Sequence, residues 1–145
     1  SNGAAVYVDY AHTPDALQAV LTALRPHVHN RLAVVFGCGG DRDPGKRREM
    51  GAIAAALADD VIVTDDNPRT EDPAAIRRQV LEGCPDAWES GDRGEAIMRA
   101  VQALVSGDVL VVAGKGHETG QIIGDAITAF DDVEVVRAAI AEADK

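Results

Sequence analysis

Short β-branched runs alternate along this chain with alanine-rich segments that have helical spacing. The β-branched runs occupy residues 5–9, 31–37, 61–65 and 109–114. The helical segments occupy residues 14–24, 45–57, 73–81, 94–105 and 133–143. Continuous apolar strands that alternate with helices are typical of a parallel sheet covered on both faces. The pattern therefore predicts one α/β domain over residues 1–145, a three-layer sandwich of the Rossmann-like kind.

Weaker signals complete the predicted sheet, which has about six mostly parallel strands with helices on both faces. Trp88 marks an extra short strand, and residues 121–130 predict a hairpin whose turn lies at residues 124–125. Pro14 and Pro73 are start signals for the first and third helices.

The composition limits the class of partner. A chain of 145 residues can bury a core of its own without disulfides or metal. Its net charge of −10, from 14 basic against 24 acidic residues, argues against nucleic acid or an anionic membrane as the main partner. No run approaches the roughly 18 apolar residues of a membrane span, and the two cysteines suit free thiols in a reducing cytoplasm. The start at Ser1 without Met predicts an excised piece of a longer protein, with Ser1 and Asn2 as a cloning remnant.

Polar residues follow four of the predicted strands. The four loops that carry them cover residues 9–15, 37–48, 65–69 and 114–120. In parallel sheets, ligands bind in the crevice beyond the carboxyl ends of the strands. Four such loops at one edge of the sheet predict a binding site there.

The loop after the second strand matches a P-loop only in part. Gly40, Gly45 and Lys46 fit the G-x-x-x-x-G-K pattern. Arg47 stands where a Ser or Thr would hold magnesium, so we exclude an independent ATP-hydrolysing P-loop. The glycines still permit a close backbone approach to a ligand, and Arg42 belongs to a local basic cluster. A solvated turn at a helix start is the alternative interpretation of this cluster.

The segment after the third strand carries groups of both charges. Asp66 and Asn67 offer acceptors to an ammonium group, and Arg69 offers a planar fork to a carboxylate. Pro68 restrains the backbone between them. This set suits the head group of an α-amino acid, but a helix-capping turn explains the same residues equally well.

The loop after the fifth strand places Lys115, His117 and Glu118 beside two glycines. Glu118 is able to accept a hydrogen bond from an amine, and His117 fits a general base, although a lone histidine on a loop is more often solvated. Elsewhere no His, Cys, Asp and Glu residues have metal-ligand spacing, and no Ser-His-Asp order is present. The sequence therefore predicts neither a metal site nor a nucleophile.

Taken together, the four loops resemble the C-terminal domain of the Mur ligases, which build the peptide of the bacterial cell wall. The resemblance rests on Asp9-Tyr10-Ala11-His12-Thr13-Pro14-Asp15, Gly39-Gly40-Asp41-Arg42-Asp43 with Gly45-Lys46-Arg47, Thr64-Asp65-Asp66-Asn67-Pro68-Arg69 and Ala113-Gly114-Lys115-Gly116-His117-Glu118. It implies the third domain of a cytoplasmic, monomeric ligase whose central domain holds the P-loop, Mg²⁺ and a modified lysine. It is strongest to the members that use ATP to join meso-2,6-diaminopimelate to UDP-MurNAc-L-Ala-D-Glu through an acyl phosphate.

The resemblance also implies roles for single residues. Contacts to diaminopimelate fall on Arg42, Asp66, Asn67, Pro68, Arg69, Gly114 and Glu118. Contacts to ATP fall on Asp9, His12, Lys46 and Arg47. No catalytic residue falls within this chain, so the chain alone is expected to be inactive.

Two alternative functions stay open at this point. A response-regulator receiver needs acids after the first and third strands and a lysine after the fifth. Asp9, either Asp65 or Asp66, and Lys115 supply them. However, Asp9 is a single acid where a receiver has a pair. The C-terminal domain of a folylpolyglutamate synthetase shares the architecture, but residues 66–69 disfavour it.

Overall fold

A computed structural model describes residues 3–9, 11–39, 45–66, 70–114, 120–123, 126–129 and 132–143. The strands are β1 (Ala5–Asp9), β2 (Leu32–Phe36), β3 (Asp60–Val63), β4 (Trp88–Glu89), β5 (Val109–Ala113), β6 (Gly120–Ile123) and β7 (Ala126–Ala129). The helices are α1 (Pro14–Leu24), α2 (Gly45–Leu57), α3 (Pro73–Leu81), α4 (Arg93–Gln102) and α5 (Asp132–Ala143), and a 3₁₀ turn spans Arg25–His27.

The main sheet has five strands in the order β1-β5-β2-β3-β4, and every neighbouring pair is parallel. The prediction of a mostly parallel α/β sheet is confirmed, including the short strand at Trp88. The predicted hairpin also forms, but β6 and β7 make a separate antiparallel sheet, so the main sheet is smaller than the predicted six strands. The predicted turn of that hairpin lies outside the described residues.

Helices cover both faces of the main sheet, as predicted. Val34 and Phe36 of β2 pack into the core cluster shared with α1, α2 and α3. Ala33 and Val35 point to the opposite face, where they join the cluster formed with α4 and α5. Because side chains alternate along a strand, a central strand buried on both faces must be apolar throughout. Among the described helices, none is long and apolar enough to cross a membrane.

Side-chain caps determine where several helices begin. Thr13 Oγ1 accepts a hydrogen bond from the Ala16 N–H at 3.2 Å, directly before Pro14 opens α1. The structure corrects the predicted start of the fourth helix from residue 94 to Arg93, because Asp92 caps it by accepting from the Glu95 N–H at 3.1 Å. That helix ends at Gln102, three residues before the predicted end.

Candidate functional site

The four polar loops predicted from the sequence leave neighbouring strands at one edge of the sheet. Because β5 lies between β1 and β2, and β3 lies beside β2, the carboxyl ends of all four strands are consecutive. From β1 and β2 the chain continues into helices on one face, whereas after β5 and the hairpin it reaches α5 on the other face. Open parallel sheets bind ligands at such a reversal.

Gly114 is the point at which three of these segments meet. Its N–H donates to the carbonyl of Asp9 at 3.1 Å. Its φ is +120°, and a methyl group on its Cα would lie 3.3 Å from Oδ2 of Asp66. Asp66 is buried, so its carboxylate lies against the glycine instead of extending into solvent. Two of the predicted diaminopimelate contacts, Asp66 and Gly114, are therefore adjacent.

Gly37 allows the end of β3 to approach β2 closely. The Thr64 N–H donates to the carbonyl of Phe36 at 2.9 Å. A Cβ at position 37 would lie 2.8 Å from the carbonyl carbon of Asp65 and from the amide nitrogen of Asp66, too close for any real side chain. Gly37 therefore packs directly against the backbone that carries Asp66.

Asp65 belongs to a network of ion pairs behind the edge of the sheet. Its Oδ1 accepts from Nη1 of Arg77 at 2.6 Å, and Nε of Arg77 donates to Glu89 at 2.8 Å. Burial raises the pKa of the Asp65 carboxyl, and the hydrogen bond from Arg77 offsets part of this rise. Asp65 is held within the protein in this way, which leaves Asp66 as the acid next to Gly114.

Arg93 and Asp132 form an ion pair that is completely buried. Nε and Nη2 of Arg93 donate to the two carboxylate oxygens of Asp132 at 2.8 and 2.6 Å, and both side chains are 0% exposed. The remaining donors of the guanidinium reach the carbonyls of Asp65 and Ala113. This pair was not predicted, because two residues 39 positions apart carry no local signal of contact.

Arg47, predicted to contact ATP, is held in a second buried cluster. Its guanidinium donates to Glu71 at 2.7 and 2.9 Å, to Gln79 at 2.7 Å and to the carbonyl of Gly39 at 3.1 Å. Only 2% of the Arg47 side chain is exposed, whereas the neighbouring Lys46 is exposed to solvent. The cluster ties the loop after β2 to the residues before α3. The ATP contacts of Lys46 and Arg47 stay predictions.

The other two predicted ATP contacts lie on the connection between β1 and α1. Asp9 is half-buried, and its Oδ1 accepts from the Ala11 N–H at 2.8 Å. His12 is exposed and comes directly before the Thr13 cap. Through its carbonyl bond to Gly114, Asp9 places this connection beside the end of β5. The roles of Asp9 and His12 stay predictions.

The remaining predicted contacts lie outside the described residues. They are Arg42, Asn67, Pro68, Arg69 and Glu118. Within the described part of the chain, no group of three or more His, Cys, Asp or Glu side chains could hold a metal ion. The described site therefore consists of Asp66 and Gly114, the backbone around them, and the buried Arg93 that donates to this backbone.

Comparison with known proteins identifies the family. The model of the Mur ligase, glutamate ligase domain matches residues 1–116. This chain belongs to that family. The 2,6-diaminopimelate-adding UDP-N-acetylmuramoyl-L-alanyl-D-glutamate ligases of Chelativorans sp. strain BNC1 and Zymomonas mobilis are 63% and 62% identical to it, over 141 and 143 residues. These alignments cover 97% and 96% of this Mur ligase domain, but only 29% of each relative.

Solved structures agree with this membership. A structure of UDP-N-acetylmuramoyl-L-alanyl-D-glutamate–2,6-diaminopimelate ligase matches all of this Mur ligase domain with a TM-score of 0.95 and 47% identity, over 31% of its own length. A folylpolyglutamate synthase/dihydrofolate synthase from Yersinia pestis, solved with AMPPNP and a Mn ion, has a TM-score of 0.61 and 24% identity. That match covers 78% of this domain and 26% of the synthase, and it shows a shared fold alone.

Proposed function

We propose that this chain is the C-terminal, amino-acid-binding domain of an ATP-dependent ligase that adds meso-2,6-diaminopimelate to UDP-MurNAc-L-Ala-D-Glu. The observation that carries the proposal is the 63% identity to a ligase named for this reaction, over 97% of the chain. The contact between Asp66 and Gly114 supports it, because it brings together two of the proposed amino-acid contacts. The enzyme would act in the cytoplasm, as a monomer, in the peptidoglycan synthesis that growth and cell division require.

The chemistry of the substrate fits the residues proposed to bind it. Diaminopimelate carries an ammonium and a carboxylate at each end, so one end can be held while the other amine reacts. Asp66, Asn67 and Glu118 accept hydrogen bonds from the held ammonium group. Arg42 and Arg69 donate to carboxylates of the substrate. Pro68 and Gly114 shape the backbone around that end.

The rest of the ligase would supply the reacting groups. A D-glutamate carboxylate would take the γ-phosphate of ATP, which gives an acyl phosphate and releases ADP. The free amine of diaminopimelate attacks this carbonyl, and the tetrahedral intermediate collapses to an amide and inorganic phosphate. In-line phosphoryl transfer depends on positioning and on Mg²⁺, which the central domain would hold. From this chain, Asp9, His12 and Lys46 contact the ATP when the domain closes. Arg47, with only 2% of its side chain exposed, would reach ATP only by leaving its buried cluster.

Product formation by the full-length parent ligase tests the proposal. With ATP, Mg²⁺ and UDP-MurNAc-L-Ala-D-Glu, we expect ADP release that depends on diaminopimelate and is far slower with lysine. The present chain alone should release no ADP. Glutamate-dependent turnover with a folate substrate would instead favour a folylpolyglutamate synthetase. Labelling of Asp65 or Asp66 by acetyl phosphate would favour a receiver, which the family match does not support.

The substitution Arg69→Ala tests how the substrate is selected. Loss of a charge-assisted hydrogen bond costs about 1.5–3 kcal/mol, so the KM for diaminopimelate should rise roughly 10- to 100-fold. Lysine, which lacks the second carboxylate, should be affected much less. Arg78→Ala, at an exposed position of α3, serves as the matched control. An unchanged KM in the Arg69→Ala enzyme would assign Arg69 to the turn alone.

A further inference from the structure

Arg93 connects the ends of the two strands from which the proposed substrate contacts leave. Its Nη1 donates to the carbonyl of Asp65 at 3.0 Å, and its Nη2 donates to the carbonyl of Ala113 at 3.1 Å. These two carbonyls directly precede Asp66 and Gly114 in the chain. One side chain therefore contacts the backbone on both sides of the candidate site.

The sheet joins these two strand ends only through β2. β2 lies between β3 and β5, so no ladder of backbone hydrogen bonds connects β3 directly to β5. The guanidinium of Arg93 links the two strand ends directly. Its Nη2 lies 3.9 Å from the position that a Cβ on Gly114 would take. The separation between Asp66 and Gly114 thus depends on a side chain as well as on the sheet.

Asp132 fixes the orientation of that guanidinium. The bidentate pair, at 2.8 and 2.6 Å, restrains the guanidinium plane from the side of α5. A buried ion pair of this kind contributes little net stability compared with apolar residues of similar volume. Its planar geometry, in contrast, is well suited to holding two carbonyls at a set distance.

We propose that Arg93, held by Asp132, is a positioning residue that sets the spacing of Asp66 and Gly114 for the amino-acid substrate. The inference rests on the proposed function, and it names a determinant of substrate affinity that does not touch the substrate. Arg93 lies behind the site, at the start of α4, and acts through the two carbonyls.

The substitution Arg93→Lys in the full-length parent ligase tests this role. Lysine keeps a positive charge beside Asp132, but its ammonium lacks the planar fork needed to reach both carbonyls and the carboxylate. Misplaced contacts weaken substrate positioning, so we expect the KM for diaminopimelate to rise about tenfold or more. The KM for ATP and kcat should stay within about threefold of wild type, because Arg93 is not among the proposed ATP contacts and a loss of uniform substrate binding raises KM without lowering kcat.

A second substitution in the same helix separates positioning from general destabilisation. Ile97 is fully buried on α4 and belongs to the core against the sheet. Ile97→Ala should lower the melting temperature by creating a cavity, yet leave the KM for diaminopimelate unchanged. An equal rise of this KM in both variants, or no rise in Arg93→Lys, would overturn the positioning role.

Asp132→Asn decides the question if Arg93→Lys is not recovered as a folded enzyme. It frees the guanidinium from its charged partner, so we expect a smaller rise of the same KM, and an unchanged value overturns the proposal. Failure of both variants to fold would assign the pair to stability alone and also overturn it. If the wild-type ligase shows no diaminopimelate-dependent turnover, the proposed function itself is overturned. If the wild-type ligase is active and the variants keep its KM, only the role of Arg93 is overturned.

Discussion

At the scale of single residues, Gly114 has a conformation and a neighbour that no other amino acid tolerates well. Its φ of +120° is strained for residues with a Cβ, and the added methyl group would press on Asp66 Oδ2 at 3.3 Å. We expect Gly114→Ala to lower the free energy of unfolding of the isolated chain by about 1–3 kcal/mol, measured by urea denaturation.

Gly94 provides a matched control within α4. A glycine-to-alanine change inside a helix favours folding by roughly 0.5–1 kcal/mol. Gly94→Ala should therefore change stability in the opposite direction from Gly114→Ala. If both substitutions stabilised the chain, the backbone of Gly114 would not be strained as described.

At the scale of elements, the contact between α2 and α3 depends on the absence of a side chain at Gly51. A Cβ on Gly51 would contact the carbonyl of Val80 in α3 and would lie 3.2 Å from Cys84 Sγ. Gly51→Ala should push the two helices apart and cost about 1–3 kcal/mol, seen as a lower melting temperature. Ala55→Ser, at an exposed position of α2, should shift stability by less than about 0.5 kcal/mol.

The starts of the first and third helices were predictable, because local chemistry determines them. The helices that follow Thr13 and Asp72 begin where the cap and the proline require, as the sequence analysis predicted. Asp92 also caps a helix, and α4 therefore begins at Arg93, one residue before its predicted start. The insertion of β5 into the sheet could not be predicted, since apolar runs show where strands lie but not which strands pair.

The candidate site was predictable only in the residues of its loops. The loop residues Asp66 and Gly114 were singled out from the polar groups that follow strands and from the family resemblance. The buried partners of the arginines, such as Glu71 for Arg47 and Asp132 for Arg93, were missed. Those contacts join distant parts of the chain and leave no periodic or spacing signal in the sequence.

At the scale of the whole molecule, the alkylation rate of the two thiols measures how often the core opens. Both are free and buried, and burial raises the pKa of Cys38 to about 12 and that of Cys84 to about 11. Because the thiolate is the reactive form, folded protein at mildly alkaline pH should react with an alkylating reagent only as fast as it opens. The check is the labelling rate with increasing denaturant, which should follow the unfolding transition.

Fully unfolded chain in guanidinium chloride is the control, and both thiols should then be labelled within the mixing time. Rapid labelling of either thiol without denaturant would show that its part of the core opens locally. Cys38, at the end of β2, would then report motion next to the candidate site, whereas Cys84, after α3, would report motion away from it.

The position of β5 in the sheet determines when this domain can complete its fold during synthesis. β1 and β2 leave the ribosome before β5, but they do not pair with each other. Val109 lies opposite Ala5 on one side and Leu32 on the other. A nascent chain that ends before residue 109 therefore has a gap one strand wide. When Val109–Ala113 emerge, one late event closes the sheet across more than 100 residues of chain and brings the four loops together. A molecule interrupted before that moment has neither a finished core nor a binding edge.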